Sequence, residues 1–407
     1  MTCPMPFIHL NIKPDEVVTA CWRCHAVLGK YNEESLSDIW NGQKWQEFRQ
    51  QHLDGKRPEG CKSCWEMEDA GVESTRQVML RETEASGMQL SDVYSLTPPA
   101  PQDIEIRFGN LCNLQCRHCS QKFSSQWMNT IKANPELQNT MREIDGLPRT
   151  LSVNELPDNT ADELREMAPN LRMIRITGGE PLMHPMHYDM LDAFSGYEQN
   201  IVLDYNSNLH YLGMKGKKIS DYWKKFKKVT CRVSIDADES NYNYIRYKGN
   251  IDKLKYNWSI LKSELEEEIE RGTFNLYATC TVSVLNAVRI KQAYKLFQEL
   301  GSKFHISFVQ YPRVLDICEL PQNIKDNIKS QCQEIIDNGA DDYDIQSMKK
   351  IIKWLDKKPN LNNFDDQFVT WMKAQDKING DCLFDYYTEF DYLKEKYYEL
   401  KKWDYNL

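Results

Sequence analysis

The first chemical signal is Gly109-Asn110-Leu111-Cys112-Asn113-Leu114-Gln115-Cys116-Arg117-His118-Cys119, which spaces three cysteines as C-x3-C-x2-C. Three thiolates can hold three irons of a [4Fe–4S] cube and leave the fourth iron open, whereas an ordinary electron-transfer cluster takes four cysteines. An open coordination position is what separates a catalytic metal site from a closed structural one. The same spacing also admits a zinc site of three cysteines with His118, or chance, so the surroundings have to decide.

The surroundings carry three further elements, each at the end of a strand-like run. Thr177-Gly178-Gly179-Glu180-Pro181 follows one, Asn206-Ser207-Asn208 a second, and Ser234-Ile235-Asp236 a third. The glycines let backbone carbonyls approach a ligand closely, and Glu180 can balance a bound ammonium group. Ser234 and Asp236 can bond a ribose. All would face the same mouth as the cysteine loop, because barrels of parallel strands place their chemistry at strand C-termini.

A second group of cysteines lies near the N-terminus. Cys3, Cys21, Cys61 and Cys64 are spaced C-x17-C-x39-C-x2-C, with the pair Cys61-Lys62-Ser63-Cys64 as one corner of a metal site and two strand cysteines as the rest. Cys21-x2-Cys24 with Cys61-x2-Cys64 has instead the form of a four-cysteine zinc site. Tetrathiolate spacing serves zinc and iron–sulfur equally, and the residues alone leave both open.

The elements that must position these groups alternate. Candidate strands are 104–108, 173–177, 201–205, 229–234, 276–282 and 305–309, with helix-length segments such as 252–269 and 288–300 between them. This pattern predicts an α/β fold with a parallel sheet, curved as an open barrel or doubly wound. The stretch 119–171 is too long for one crossover and carries an insertion closed by a helical run at 160–167. Before the sheet, 9–12 and 17–21 read as short strands around Lys13-Pro14-Asp15-Glu16, and Ser35-Leu36-Ser37-Asp38 reads as a capping box before helical residues 43–53. Thr97-Pro98-Pro99-Ala100-Pro101 is a stiff linker. The expected units are therefore 1–95, 96–320 and a charged helical extension over 321–407 that ends in a Lys/Tyr-rich run at 391–403.

Composition narrows the class. The chain has 407 residues, 41% hydrophobic and 27% charged, which fits a globular protein with a sizeable core. Its 51 basic and 60 acidic residues give a net charge of −9, which argues against a generic nucleic-acid surface. No apolar run reaches the length of a membrane span, and no basic segment precedes an apolar one at the N-terminus. A reducing cytoplasm is the expected location, where the 13 cysteines read as metal or redox groups and not as disulfides.

The cysteine loop, the Gly-Gly-Glu-Pro element and the Ser-x-Asp element together resemble the radical S-adenosylmethionine (SAM) superfamily, over roughly residues 102–315. The resemblance implies a partial (β/α)6 barrel, and cleavage of SAM at a [4Fe–4S] cluster to a 5′-deoxyadenosyl radical that abstracts a substrate hydrogen. Carried over by position, Cys112, Cys116 and Cys119 ligate the cluster. Gly178, Gly179, Glu180 and Pro181 form the element that holds the methionyl amine, while Ser234 and Asp236, with Asn206, Ser207 or Asn208, contact the methionyl or ribose groups. Val309 to Pro312 would lie near the adenine. His118 departs from the aromatic residue common before the last cysteine. Arg246 either reaches the SAM carboxylate or is a structural arginine. An electron donor such as flavodoxin or ferredoxin is implied.

The N-terminal unit, with Cys3-x-x-Pro6-Phe7, Leu28-Gly29, Ser35-Leu36-x-x-Ile39-Trp40-Asn41-Gly42 and the closing C-x2-C, resembles the SPASM/twitch domains of the same superfamily. This implies an auxiliary [4Fe–4S] cluster on Cys3, Cys21, Cys61 and Cys64, with Cys24 spare. Such domains usually follow the barrel; here the unit precedes it, and the cysteines of a full two-cluster SPASM domain are missing, so a single-cluster twitch fits better.

The expected activity is modification of a peptide or protein, as a crosslink, thioether or oxidation. The alternative is oxidation or rearrangement of a small molecule such as an aminocyclitol, sugar or nucleoside; a non-enzymatic zinc scaffold is the third reading. Seven lysines within 214–228 could dock an acidic leader or form a solvated helix face. The 31 Tyr and Trp residues, many in the C-terminal extension, could line a peptide groove or pack helices. Cys280, Cys318 and Cys382 could donate a hydrogen atom, though plain burial explains them better. His184 and His187 read as loop residues without partners.

Overall fold

Why the sheet has two unlike faces is visible in its strands. In the computed structural model, which describes residues 2–13, 15, 17–69, 73–85, 93–145, 156–309 and 311–400, nine strands form one sheet. They are β1 (His9–Ile12), β2 (Val17–Thr19), β3 (Gly29–Lys30), β4 (Asp103–Arg107), β5 (Met173–Thr177), β6 (Val202–Ser207), β7 (Lys228–Ser234), β8 (Phe274–Val282) and β9 (His305–Phe308). The order across the sheet is β9-β8-β7-β6-β5-β4-β1-β2-β3. Strands β4 to β9 pair in parallel with their sequence neighbours, and β1 joins β4 in parallel with His9 opposite Asp103. The six strands expected after the linker are all present within a few residues of their expected ends.

Parallel strands buried on both faces read as continuous apolar runs; these do not. One face carries Ile104 and Ile106, Ile174 and Ile176, Leu203 and Tyr205, and Val229, Cys231 and Val233, all buried. The alternate positions are Glu105 and Arg107, Arg175 and Thr177, Asp204 and Asn206, and Arg232 and Ser234. Because side chains alternate across a strand, the apolar set packs under helices and the polar set lines open space. The crossovers supply those helices, among them Pro185–Ala193, Ile251–Glu264 and Ile290–Glu299.

The N-terminal segment is built into this sheet. Ser35 caps the helix Leu36–Asn41 by accepting a bond from the Asp38 N–H, and Gly42 breaks it from the helix Gln43–Leu53. The linker is tied down, with Trp40 Nε1 donating to Pro98 O at 3.0 Å and an Arg49 guanidinium N–H donating to Leu96 O at 3.0 Å. The second expected strand stops at Thr19, so Cys21 lies in the turn after it, and Cys3 precedes a short helical turn, Met5–Ile8; neither is a strand residue. Pro14 and Glu16 of the expected turn lie outside the described residues, as do 146–155 of the insertion and 401–403 of the C-terminal run.

The insertion folds as the helices Ser125–Ala133 and Pro135–Asp145, followed by Thr160–Met167. The extension contributes Gln322–Asp337, Asp342–Leu355 and Phe364–Asn379. Many of its aromatics pack inward, with Tyr387 and Tyr397 buried. Among the described residues no helix is long and apolar enough to cross a membrane.

Candidate functional site

At the C-terminal ends of the strands a cavity of about 550 Å³ collects the residues singled out by sequence. Cys112, Cys116 and Cys119 line it from the loop after β4, Gly178 and Gly179 from the turn after β5, Asn206, Ser207 and Asn208 from the end of β6, and Ser234 and Asp236 from the end of β7. His118, Arg246 and Pro312 line it as well.

The cysteine loop is fixed from several sides. Cys116 pairs with Arg246 in a two-residue ladder, the Trp127 indole donates to Cys116 O at 2.8 Å, and Glu180 N donates to Leu111 O at 2.7 Å. The last bond lays the glycine turn against the cysteine loop. A Cβ on Gly179 would sit 2.2 Å from Leu111 O, so only glycine fits there. Burial pushes all three thiols up, Cys119 to about 12. Thiolates at this site are therefore a consequence of metal binding, which releases the protons.

Glu180 does not line the main cavity. With Pro181 it borders a small adjoining void beside Gly109 and His184. Its carboxylate accepts from Ser207 Oγ at 2.8 Å and from the backbone N–H groups of Asn208 at 2.6 Å and Leu182 at 3.2 Å. Burial raises its pKa, and these bonds offset the effect only in part. A negative charge thus lies directly beneath two cavity-lining residues.

Asp236 stands in a left-handed conformation (φ 56°), which aspartate tolerates better than most residues. It pairs with Arg246, lies 3.4 Å from His118 Nε2, and accepts from the Thr281 N–H at 2.6 Å. Burial would raise its pKa, but Arg246 first, then His118 and the Thr281 N–H, outweigh this and hold it well below the carboxylate range. Asp236 and Arg246 act as one unit on the cavity wall. Asn208 reaches the cysteine loop directly, donating to Asn113 Oδ1 at 2.8 Å. Val309 is buried and does not line the cavity; Tyr311 and Pro312 do, and Gln310 lies outside the described residues. Lys122, Phe123, Thr281 and Trp371 also line it. Sequence reasoning missed them: Lys122 and Phe123 were signalled only by nearness to Cys119, and Trp371 had no local signal.

The five N-terminal cysteines also converge. Cys3, Cys21, Cys24, Cys61 and Cys64 line one small void together with His52 and Arg76. The fold brings the C-x2-C turn to the loop after β2 through the His25 N–H, which donates to Gly60 O at 2.9 Å; a Cβ on Gly60 would meet Ala26 N at 2.8 Å. Cys24 is not remote from this group. The neighbouring Cys61 thiol first, then backbone hydrogen bonding at Ala26 and Ala20 and the charge of Lys13, pull its thiol below the usual value against the effect of burial, while burial pushes Cys3 up to about 12. His52 Nε2 lies 3.8 Å from Cys61 Sγ. Among the described residues no three His, Cys, Asp or Glu side chains close on one point as for a single metal ion. Both cysteine sets instead surround a space, and five thiols line the N-terminal one, a donor set that suits an iron–sulfur cluster.

Other sequence signals resolve into structure. His187 is helical and buried, with Nε2 2.8 Å from the Tyr205 hydroxyl, and His184 stacks on Phe108, so neither is a loop residue without partners. Lys217 pairs with Asp192 at 2.7 Å and Lys218 with Glu264 at 2.5 Å, which ties part of the lysine run to its own domain. Cys280, Cys318 and Cys382 are absent from the described lining of this cavity.

The site presents three thiols beside a glycine-walled cavity into which Asn206, Ser207, Asn208, Ser234 and Asp236 bring polar groups. A radical SAM superfamily model matches residues 106–276, and a SPASM model, an iron–sulfur cluster-binding domain, matches residues 3–65. The chain therefore carries a SPASM domain N-terminal to a radical SAM domain. These domains imply a [4Fe–4S] cluster, an auxiliary cluster and SAM. Comparison with curated proteins finds no match. Among solved structures, anSMEcpe with bound AdoMet is 15% identical, with 59% of this chain and 62% of that chain covered and a TM-score of 0.37. Streptococcus suis SuiB bound to the precursor peptide SuiA is 12% identical, with 94% and 79% covered and a TM-score of 0.39. The chain thus spans less than two thirds of the length of anSMEcpe.

Proposed function

We propose that this chain is a radical SAM enzyme that modifies a peptide or protein, with the strands β4 to β9 curved as a partial (β/α)6 barrel. When bound, the cluster and SAM supply a 5′-deoxyadenosyl radical that takes a hydrogen atom from the substrate. Cys112, Cys116 and Cys119 hold the cluster by three irons. The Gly178 and Gly179 backbone, Ser207 and Asn208 receive the methionyl amine, with the Glu180 charge beneath them. Arg246, oriented by Asp236, faces the methionyl carboxylate, and Ser234 and Asn206 bond the ribose. Tyr311 and Pro312 pack beside the adenine. The observation that carries this reading is the convergence of the three cysteines and four strand ends on one cavity of about 550 Å³.

Cys3, Cys21, Cys61 and Cys64 hold an auxiliary [4Fe–4S] cluster. A fully thiolate-ligated set suits electron transfer, with a flavodoxin- or ferredoxin-type donor as the source of the electron. The units run 1–95, 96–320 and 321–407, in a reducing cytoplasm that keeps the thiols available. A peptide substrate is supported by a second cavity, beside the first, that opens to solvent between the sheet and the helix Thr75–Ala85. A small-molecule substrate is the second reading, favoured by Trp371 of the extension, which walls the SAM cavity. Anaerobically reconstituted protein with dithionite and SAM should yield 5′-deoxyadenosine. Stimulation by peptides encoded beside its gene supports the peptide reading, and cleavage that no peptide stimulates counts against it.

A further inference from the structure

The second cavity, about 670 Å³, shares Phe123, Gly178 and Asn206 with the SAM cavity, so a molecule held in it adjoins the first. Neither half of the chain makes it alone. The polar face of the sheet is one wall; Trp22, Ser74, Val78 and Met79 of the N-terminal segment are the other.

The charges on the sheet wall are layered. Three acids, Asp103, Glu105 and Asp204, are side-chain exposed by only 9%, 5% and 6%, while three arginines, Arg107, Arg175 and Arg232, are exposed by 16%, 18% and 35%. Each arginine is propped from below. Arg107 pairs with Glu105 and donates to Thr177 Oγ1 at 3.0 Å, Arg175 donates to Asp103 at 2.9 Å, and Arg232 pairs with Asp204 and donates to the Tyr277 hydroxyl at 2.8 Å. Glu105 and Asp204 line the floor of the cavity, and the more exposed guanidinium groups stand above them, where a ligand meets them first. Arg175 Nε is buried and has no partner among the described residues. The Trp22 ring faces the Arg175 guanidinium at 5.7 Å and closes the far side. The acids on the opposite wall, Glu73 and Glu82, sit at the exposed rim, and Glu73 is paired with Arg81. An arginine fork held in place by a buried acid is preorganised for a planar or tetrahedral anion, since its orientation is fixed before the ligand arrives.

We propose that this cavity is the substrate site and that it receives the substrate by an anionic group, a carboxylate or a phosphate, on Arg107, Arg175 and Arg232. The proposal rests on the radical SAM reading for its position beside the SAM cavity, and its test separates the two. Reconstituted full-length protein is titrated by calorimetry with glutarate, inorganic phosphate and the neutral isostere glutaramide, and SAM binding is measured separately by equilibrium dialysis. Glutarate or phosphate should bind roughly tenfold or more tightly than glutaramide, the scale of one charge-assisted bond; which of the two anions binds better tells carboxylate from phosphate. Arg232→Gln and Arg107→Gln should remove that preference, and Arg232→Lys, which keeps the charge but not the fork, should weaken it. Anions that bind no better than glutaramide overturn the proposal in the wild-type protein alone, as does a preference that survives both glutamine variants. Protein that discriminates the anions but binds no SAM would overturn the radical SAM reading and leave the anion site standing.

Discussion

Arg117 and Asp376 stand 2.7 Å apart, both fully buried, and join the cysteine loop to the C-terminal helix Phe364–Asn379. Arg117 lies between two of the three cysteines; its guanidinium also pairs with Asp381 at 3.0 Å and sits 3.7 Å from the Tyr244 ring centroid. The extension is therefore a clamp on the three-cysteine loop. Removing Asp376 would leave Arg117 paired with Asp381 but would strand the other buried donors that Asp376 holds, each at a cost of about 1–3 kcal/mol.

Asp376→Ala should accordingly lower the unfolding free energy by about 3 kcal/mol or more. Asp376 also accepts from the Tyr244 and Tyr397 hydroxyls and the Leu383 N–H, so the loss is spread over the whole junction. Chemical denaturation reads the stability. Iron analysis reads the consequence for the loop: the variant should retain less iron after reconstitution while the N-terminal site, which Asp376 does not touch, still fills.

Gly179→Ala tests the contact between the glycine turn and the cysteine loop. The added Cβ would stand 2.2 Å from Leu111 O, a backbone atom that cannot swing aside. The turn and loop must then separate, and the Glu180–Leu111 bond with them. SAM affinity by equilibrium dialysis should fall by roughly a hundredfold, the scale of one or two lost charge-assisted bonds. Gly55 meets nothing within 4 Å at its Cβ but has φ 70°, so Gly55→Ala strains the backbone away from the cysteine loop and is a control for stability alone.

The pH dependence of SAM binding should follow Glu180. Its pKa is raised by burial, so protonation begins at a higher pH than for a solvated glutamate. An ammonium group needs the carboxylate ionised. SAM affinity is therefore full above the raised value and lost as pH falls through it. The folding linkage has the opposite sense, because the native protein binds this proton more tightly than the unfolded chain, so the contribution of Glu180 to stability declines as pH rises past the unfolded value. Dialysis between about pH 5 and pH 8 checks the first claim. Glu180→Gln should bind SAM weakly at every pH in that range, and a variant that keeps the wild-type profile would exclude Glu180 as the group responsible.

The six strands and the three-cysteine loop were legible because both are local. Strand C-termini carry the Gly-Gly-Glu, Asn-Ser-Asn and Ser-x-Asp elements within a few residues of the apolar runs that define the strands, and parallel topology brings such ends together. What was not legible depends on distant contacts. Nothing near Trp371 or Asp376 announces that their helix returns to the cysteine loop. The pairing of β1 with β4 was hidden by the proline linker, which reads as a spacer but folds back against Trp40 and Arg49. The polar face of the sheet was present in the alternation of Glu105, Arg107, Arg175, Asp204 and Arg232, yet each strand looked acceptably apolar when read alone.

The surplus thiol at the N-terminal site gives the last prediction. Five cysteines line a space where a cube takes four, and the Cys24 and Cys61 thiols interact with each other. Cys61 is the more exposed of the pair and belongs to the C-x2-C turn, while Cys24 is buried behind it. With Cys3, Cys21, Cys61 and Cys64 as ligands, Cys24→Ser keeps the full complement of about eight irons per chain across the two clusters. Losing the thiol beside a ligand sulfur changes only the reduction potential, because hydrogen bonds to the sulfurs tune it. Cys64→Ser removes one of the four assigned ligands and should fall toward about four irons per chain. Cys61→Ser is the informative variant. Cys24 lines the same space as the vacated corner, so iron should remain close to the wild-type value with an altered electron paramagnetic resonance spectrum. Loss of iron in Cys24→Ser with retention in Cys61→Ser would reverse the assignment and make Cys24 the native ligand.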